Sequence, residues 1–252
     1  MASATNSNVV KLTVACQRCS LRGVCEPVNL PSHEQTRLDA IIERRRPISR
    51  GEFLYRSGEP FRSIFCVKAG SIKTYATTDK GEEQVTGFHL PGEMIGMEGI
   101  AMGYNTTDAV ALETSSVCEI PYDRLQEISA DVPALLQQLI LLTSQEVMHG
   151  QTLTMLISKK SAEERLAALL LSLSDRFANR GFSPTDFHLS MSRHDIGNFL
   201  GMAVETVSRV FTRFDNEGLI SARRKHIQLQ DLPRLRELAG SPKVPSPARV
   251  HF

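Results

Sequence analysis

The sequence predicts an α+β chain: a small β-barrel or roll, then a long helix, then a helix-turn-helix with a basic wing. Three observations carry this. Between Pro47 and Pro121, short apolar alternations (FLYRSG, SIFCVKAGSIKTYATT, EQVTGFHL, AVALETSSVCEIP) are separated by Gly, Asp-Lys-Gly and Pro-Gly signals, which is the spacing of a small barrel or roll. From Asp131 to about Ile157 a helical stretch meets no strong breaker except Gly150. From Ser192 to Thr212, two short apolar periodicities flank a Gly at the position of a tight turn.

The elements follow in order. Residues 1–15 are small and polar. Residues 33–46 read as a short amphipathic helix with Leu38, Ile41 and Ile42 on one face, and 122–130 as another short helix. Asp131 is expected to cap the long helix, with Pro133 in its first turn. Ser161-Ala-Glu-Glu is a capping box that starts a further helix, whose Leu166, Leu169, Leu170 and Leu173 continue to about Asn179. A Gly-Phe-Ser-Pro turn precedes helices near 193–200 and 204–215, a basic hairpin (ISARRKHIQL) and a last short helix at 231–239 ending on Gly240. The organisation is therefore a cysteine-bearing arm (1–29), a roll (30–130), a long helix (131–158), a winged helix-turn-helix (159–240) and a Ser/Pro-rich tail (241–252) expected to be mobile.

Composition excludes several classes. The 252 residues are 41% hydrophobic, enough for a true core, and no run of 18 apolar residues predicts a membrane span. The N-terminus does not resemble a secretory signal, so a cytoplasmic protein is expected. Five cysteines in such a chain argue against a disulfide framework. No Gly-rich dinucleotide loop or catalytic constellation is present, so an enzyme is not expected. The net charge of +1 hides an asymmetry: residues 1–158 hold 14 Lys/Arg against 18 Asp/Glu, and residues 159–240 hold 13 against 10. The small basic excess in the C-terminal part is consistent with a nucleic-acid partner there.

The Ser192–Thr212 segment has a tight internal logic. Ile196, Phe199 and Leu200 face inward from the first helix. Gly201 takes the turn, where a positive φ is easiest for glycine. Val204, Val207, Val210 and Phe211 form the apolar face of the second helix, leaving Glu205, Ser208 and Arg209 together outside at i, i+3 and i+4. A helix lying in the major groove needs that spacing: Arg donates twice to guanine, and Glu accepts from cytosine. Thr206, Thr212 and Arg213 are placed to meet phosphates, and Arg223, Arg224 and Lys225 form the tip of the wing. The bland alternative is an ordinary helical pair with a solvated polar face.

Cys16-x2-Cys19-x5-Cys25 lies at the other end, with Cys118 far downstream. Four thiolates suit a cubane iron-sulfur cluster, but the same set builds a structural zinc site, and Cys-x2-Cys alone suits a redox pair. Cys66, in the alternating strand SIFCVKAG, reads as a buried core thiol and is left out of the site. On the long helix, heptad counting puts Leu136, Thr143, Gly150 and Ile157 at one position and Leu139, Glu146 and Leu153 at the other. Leu139, Glu146, Val147 and Gly150 are expected on a dimer face whose polar middle makes the homodimer marginal.

CQRCSLRGVC, EEQVTGFHLPGE, LETSSVCEIP, SKKSAEERLAALLLSLSDRF and SRHDIGNFLGMAVETVSRVFTRF together resemble the FNR branch of the CRP/FNR family of bacterial regulators, its oxygen-responsive Anr-type members most closely. The likeness spans roughly residues 14–240. It implies a cyclic-nucleotide-binding-type β-roll, a dimerisation helix and a winged helix-turn-helix. It implies an oxygen-labile 4Fe-4S cluster on Cys16, Cys19, Cys25 and Cys118, and recognition of a TTGAT-N4-ATCAA-like palindrome in double-stranded DNA through Glu205, Ser208 and Arg209. It implies a contact to RNA polymerase through the Thr78–Glu83 turn. The cyclic-AMP-binding branch carries an Arg-Ser pair after a Gly-Glu. Here Gly92-Glu93 is present, but Tyr104–Ala109 contains no cation, so no cyclic nucleotide is expected. A β-roll gated by a small ligand or haem is the runner-up. Two departures from the best-known relative stand out: Arg18 replaces an acidic residue within the cysteine motif, and Gly150 replaces an Asp on the long helix.

Overall fold

The computed structural model describes residues 31–240. The cysteines of the N-terminal arm and the tail expected to be mobile lie outside the described residues. Helix α1 (Ser32–Ile41) leads into an eight-stranded antiparallel roll. Its strands are β1 (Glu43–Arg44), β2 (Phe53–Tyr55), β3 (Ser63–Ala69), β4 (Ile72–Thr77), β5 (Glu83–His89), β6 (Met94–Ile95), β7 (Asp108–Ala111) and β8 (Ser116–Pro121), with the short helix α2 (Gly99–Met102) between β6 and β7. They form two sheets, ordered β1-β8-β3-β6 and β2-β7-β4-β5. Then come α3 (Tyr122–Asp131), the long α4 (Pro133–Lys159) and α5 (Ala162–Ala178).

The winged domain follows with β9 (Asp186–His188), α6 (Arg193–Leu200), α7 (Val204–Asn216), β10 (Ile220–Arg223), β11 (His226–Leu229) and α8 (Leu232–Ala239). The wing hairpin is extended by β9 into a three-stranded sheet, β10-β11-β9. Three residues flanked by Ser, Pro and Thr carry too little periodicity for that strand to be read from sequence.

Alternation explains how β3 is buried on both faces. Phe65 and Val67 point between the two sheets, into a cluster with Leu54, Ile72, Ile95 and Val117. Ile64 and Cys66 point outward into a second cluster roofed by α1, α3 and the start of α4, through Leu38, Leu125, Ile128, Val132 and Leu135. A third cluster joins Val85, Phe88, Leu90 and Leu112 of the other sheet to α5, α6 and α7. The winged domain thus packs directly on the roll.

Three expectations are corrected. The first helix ends at Ile41, and Glu43–Arg44 form an edge strand pairing with β8; Arg44 turns back to Asp39 of α1, and Arg45 is drawn to Glu119 on the roll. Asp131 does not cap α4. It closes α3 and pairs with Arg37 at 2.7 Å, while Val132 stands at the N-cap and Pro133 opens the helix. Leu139, expected on a dimer face of α4, is half-buried against the roll. Leu139 and Leu142 pack against the outer cluster of the roll, while Thr143 and Glu146 are exposed. The protein mass beside Glu146 raises its carboxyl above the ordinary range, with Glu93 adding to the effect. The large apolar side chains left open on α4 are Leu136, Ile140, Leu141, Val147, Met148 and Met155.

Candidate nucleic-acid interface and cysteine row

Local chemistry fixes the helix-turn-helix. Ser192 and Asp195 form a reciprocal capping box: Asp195 N donates to Ser192 Oγ at 3.1 Å, and Ser192 N donates to Asp195 Oδ2 at 2.9 Å. Burial alone would raise the Asp195 carboxyl, but hydrogen bonds from Lys73 and Ser192 outweigh it and hold the group below its usual value. Gly201 ends α6 at φ 62°, the left-handed cap the turn requires. The sequence reading missed Gly197: a Cβ there would lie 2.6 Å from the Met202 carbonyl oxygen, so only glycine lets the two helices close.

On α7, Val207, Val210, Phe211 and Phe214 are buried. Glu205, Ser208, Arg209, Thr212 and Arg213 are exposed, and Thr206 is half-buried. The predicted base-reading trio therefore stands together on the solvent face. Arg209 Nη2 lies 3.2 Å from Thr206 Oγ1, and Ser208 Oγ returns to the Val204 carbonyl at 2.9 Å. Arg213, expected at a phosphate, is held by Glu217 at 2.7 Å and Glu163 at 3.1 Å. At the wing tip Arg224 adopts φ 59°, turning the hairpin. Arg223 and Arg224 are exposed, and Lys225 donates to the Ser190 carbonyl at 2.9 Å.

In the roll, the Gly92-Glu93 turn meets the winged domain. Glu93 Oε1 accepts from Arg176 Nε at 2.8 Å and from Arg180 Nη2 at 2.6 Å, both on or just beyond α5. Burial would raise this carboxyl, but the two guanidiniums dominate and hold it near 2. The stretch 104–109 is tied inward: Thr107 donates to Glu98 at 2.8 Å, and Asn105 is buried.

Cys118 lies on β8, half-buried, beside the outer cluster. Its sheet neighbours are informative. Arg44 is its partner on one side and Cys66 on the other, and Met94 is the next across from Cys66. Directly opposed residues share a face, so Arg44, Cys118, Cys66 and Met94 form one row. Among the described residues no group of three or more His, Cys, Asp or Glu side chains gathers at one point. Cys16, Cys19 and Cys25 lie outside the described residues.

A β-roll joined by a long helix to a winged helix-turn-helix, with polar side chains displayed on the outer face of its second helix, defines a DNA-binding transcription regulator. The Crp-like helix-turn-helix domain matches residues 164–238, and the cyclic nucleotide-binding domain matches residues 45–131. The transcriptional activator protein anr of Pseudomonas aeruginosa is 51% identical over 225 residues, covering 89% of this chain and 92% of that protein. The fumarate and nitrate reduction regulatory protein of Escherichia coli K12 is 46% identical over 227 residues, covering 90% and 91%. The solved structure of FixK2 from Bradyrhizobium japonicum superimposes with a TM-score of 0.73 at 27% identity, over 80% of this chain and 99% of that one. The chain belongs to the FNR/Anr-type regulators of the CRP/FNR family. It is a regulator of transcription and not an enzyme. No helix among the described residues is long and apolar enough to cross a membrane.

Proposed function

We propose that the chain senses oxygen through a 4Fe-4S cluster held by Cys16, Cys19, Cys25 and Cys118, and binds TTGAT-N4-ATCAA-like palindromes as a homodimer to activate or repress genes of anaerobic metabolism. The observation that carries this reading is the position of Cys118. Its side chain packs against the same apolar cluster that holds Val132, Leu135, Leu139 and Leu142 at the root of α4. What happens at Cys118 is therefore felt where the long helix is anchored. The donor chemistry fits. Cys118 is a soft ligand, half-buried on a strand paired on both sides.

When bound, the cluster supplies an oxygen-labile joint between the arm and the roll. The chain's own residues do the rest. Cys118 is fixed by β8 beside the cluster at the root of α4. The open apolar line Leu136–Ile140–Val147 meets its counterpart on a second copy, with Gly150 adding no side chain and meeting nothing within 4 Å. Leu139, first expected on that face, is half-buried against the outer cluster of the roll. The dimer places two α7 helices in successive major grooves, about 34 Å apart. There Glu205, Ser208 and Arg209 read bases, while Thr206, Thr212 and a released Arg213 meet phosphates. The exposed Thr78–Glu83 hairpin tip is the contact to RNA polymerase.

A cyclic nucleotide has no place in this reading. Glu93 is taken by Arg176 and Arg180, and the 104–109 stretch offers no cation to a phosphate. Sedimentation of protein purified without oxygen, before and after air exposure, tests the switch. A dimer that becomes monomer and loses the palindrome supports it, and an equally tight dimer after cluster loss would remove dimerisation as the switch.

A further inference from the structure

We propose that Cys66, which lies outside the cluster set, is a resolving thiol for Cys118: once the cluster is lost, the two join in a cross-strand disulfide that holds the sensor in its inactive state. This rests on the reading of Cys118 as a cluster ligand. In register, Cys66 of β3 stands directly opposite Cys118 of β8. Their side chains share the outer face, and both belong to the cluster beneath α1, α3 and α4. Directly opposed antiparallel residues have Cα atoms about 4.5–5.5 Å apart, inside the roughly 4.4–6.8 Å span of disulfides. Their Cβ atoms need close by less than about 1 Å to reach the usual disulfide separation of about 3.5–4.5 Å. Cys118 is half-buried and Cys66 is 4% exposed, so an oxidant meets Cys118 first.

The chemistry balances with a hydroperoxide such as hydrogen peroxide as the oxidant. The Cys118 sulfur attacks one peroxide oxygen, the O–O bond breaks, and Cys118 becomes a sulfenic acid with release of one water. The Cys66 sulfur then attacks the Cys118 sulfur, the S–O bond breaks, the S–S bond forms, and a second water leaves. The two thiol protons end in the two waters, and the peroxide takes the two electrons. While Cys118 is ligated it is unavailable to this reaction, so the disulfide follows cluster loss and blocks reassembly until a thiol reductant opens it.

Peptide mapping of the full chain tests this. Protein purified without oxygen is alkylated and digested before and after treatment with air and hydrogen peroxide. After treatment, the tryptic peptide 63–68 is expected joined to 81–124, two hydrogens lighter than the separate reduced peptides. Before treatment the link is absent. Wild type then regains the cluster from iron and sulfide only after dithiothreitol, whereas Cys66→Ala regains it without. Treated wild type in which Cys66 is still alkylated, or in which Cys118 is linked to an arm cysteine, would overturn the proposal, as would equal reassembly by both proteins. Visible absorbance of the starting sample judges the cluster reading separately: if no cluster is present, the same map on chelator-treated, peroxide-exposed protein still decides whether Cys66 and Cys118 join.

Discussion

Glu93 of the roll accepts a hydrogen bond from Arg176 of α5 at 2.8 Å, and Arg180 reaches the same carboxylate at 2.6 Å. The three side chains are only 7–20% exposed. The carboxylate at the Gly92-Glu93 turn is thereby a joint between the roll and the winged domain. Glu93→Gln leaves two buried guanidiniums short of their counter-charge and is expected to destabilise the chain by roughly 3–5 kcal/mol. Urea unfolding measures this, and a loss below about 1 kcal/mol would show that the triad is not a joint.

Acid should act in two windows. His89 is half-buried beside Thr74, at 3.1 Å, and desolvation pushes its ring down to about 4. The unfolded chain binds that proton near 6.5, so the unfolded state holds more protons between these values and stability falls as pH drops from about 6.5 to about 4. Glu93 is depressed to about 2, so its contribution is lost from about 4.5 downward. His89→Gln should flatten the upper window alone. An unchanged slope between pH 6.5 and 4 would assign that acid sensitivity to other groups.

The open face of α4 gives a sharper dimer test than heptad counting. Val147 is 56% exposed in the single chain, and Leu139 packs on the roll. Val147→Glu should abolish dimerisation while leaving the melting temperature of the monomer within about 2 °C, since exposed substitutions change stability little. Leu139→Ala should instead cost about 2–4 kcal/mol of folding stability. Sedimentation and melting curves on the two variants separate these roles, and the reverse outcome would restore the phase that the sequence suggested.

On α7, Arg209→Ala is expected to cost about 1–3 kcal/mol of binding and to relax specificity at one guanine. Arg213→Ala should weaken all sequences alike and lower the salt dependence of binding by about one counterion. Binding isotherms at two salt concentrations, on the palindrome and on single-base variants, read both. A uniform loss in Arg209→Ala would make it a phosphate contact.

The parts legible in the sequence were those governed by local chemistry. The Ser161 and Ser192 capping boxes, Gly201 at the turn and the inward Val207–Val210–Phe211 face depend on neighbours within a few residues, and all stand as expected. What escaped depends on register and docking. Cys66 is buried in the core as SIFCVKAG suggested, but nothing in that strand shows that β8 will set Cys118 against it. The packing of Leu139 on the roll was not legible because polar and apolar residues are mixed on both faces of α4, and only the fold brings the roll against it. Arg176 and Arg180 sit more than 80 residues from Glu93 in sequence, with no spacing to link them.

The central claim is that the four cysteines hold an oxygen-labile iron-sulfur centre. The most direct measurement is visible absorption of the full chain purified without oxygen, with iron, sulfide and zinc assayed on the same sample. The account predicts a straw-brown protein with about four irons and four sulfides per chain, bleaching in air, and colourless when Cys118→Ala is purified the same way. A colourless wild-type protein carrying one zinc would contradict it.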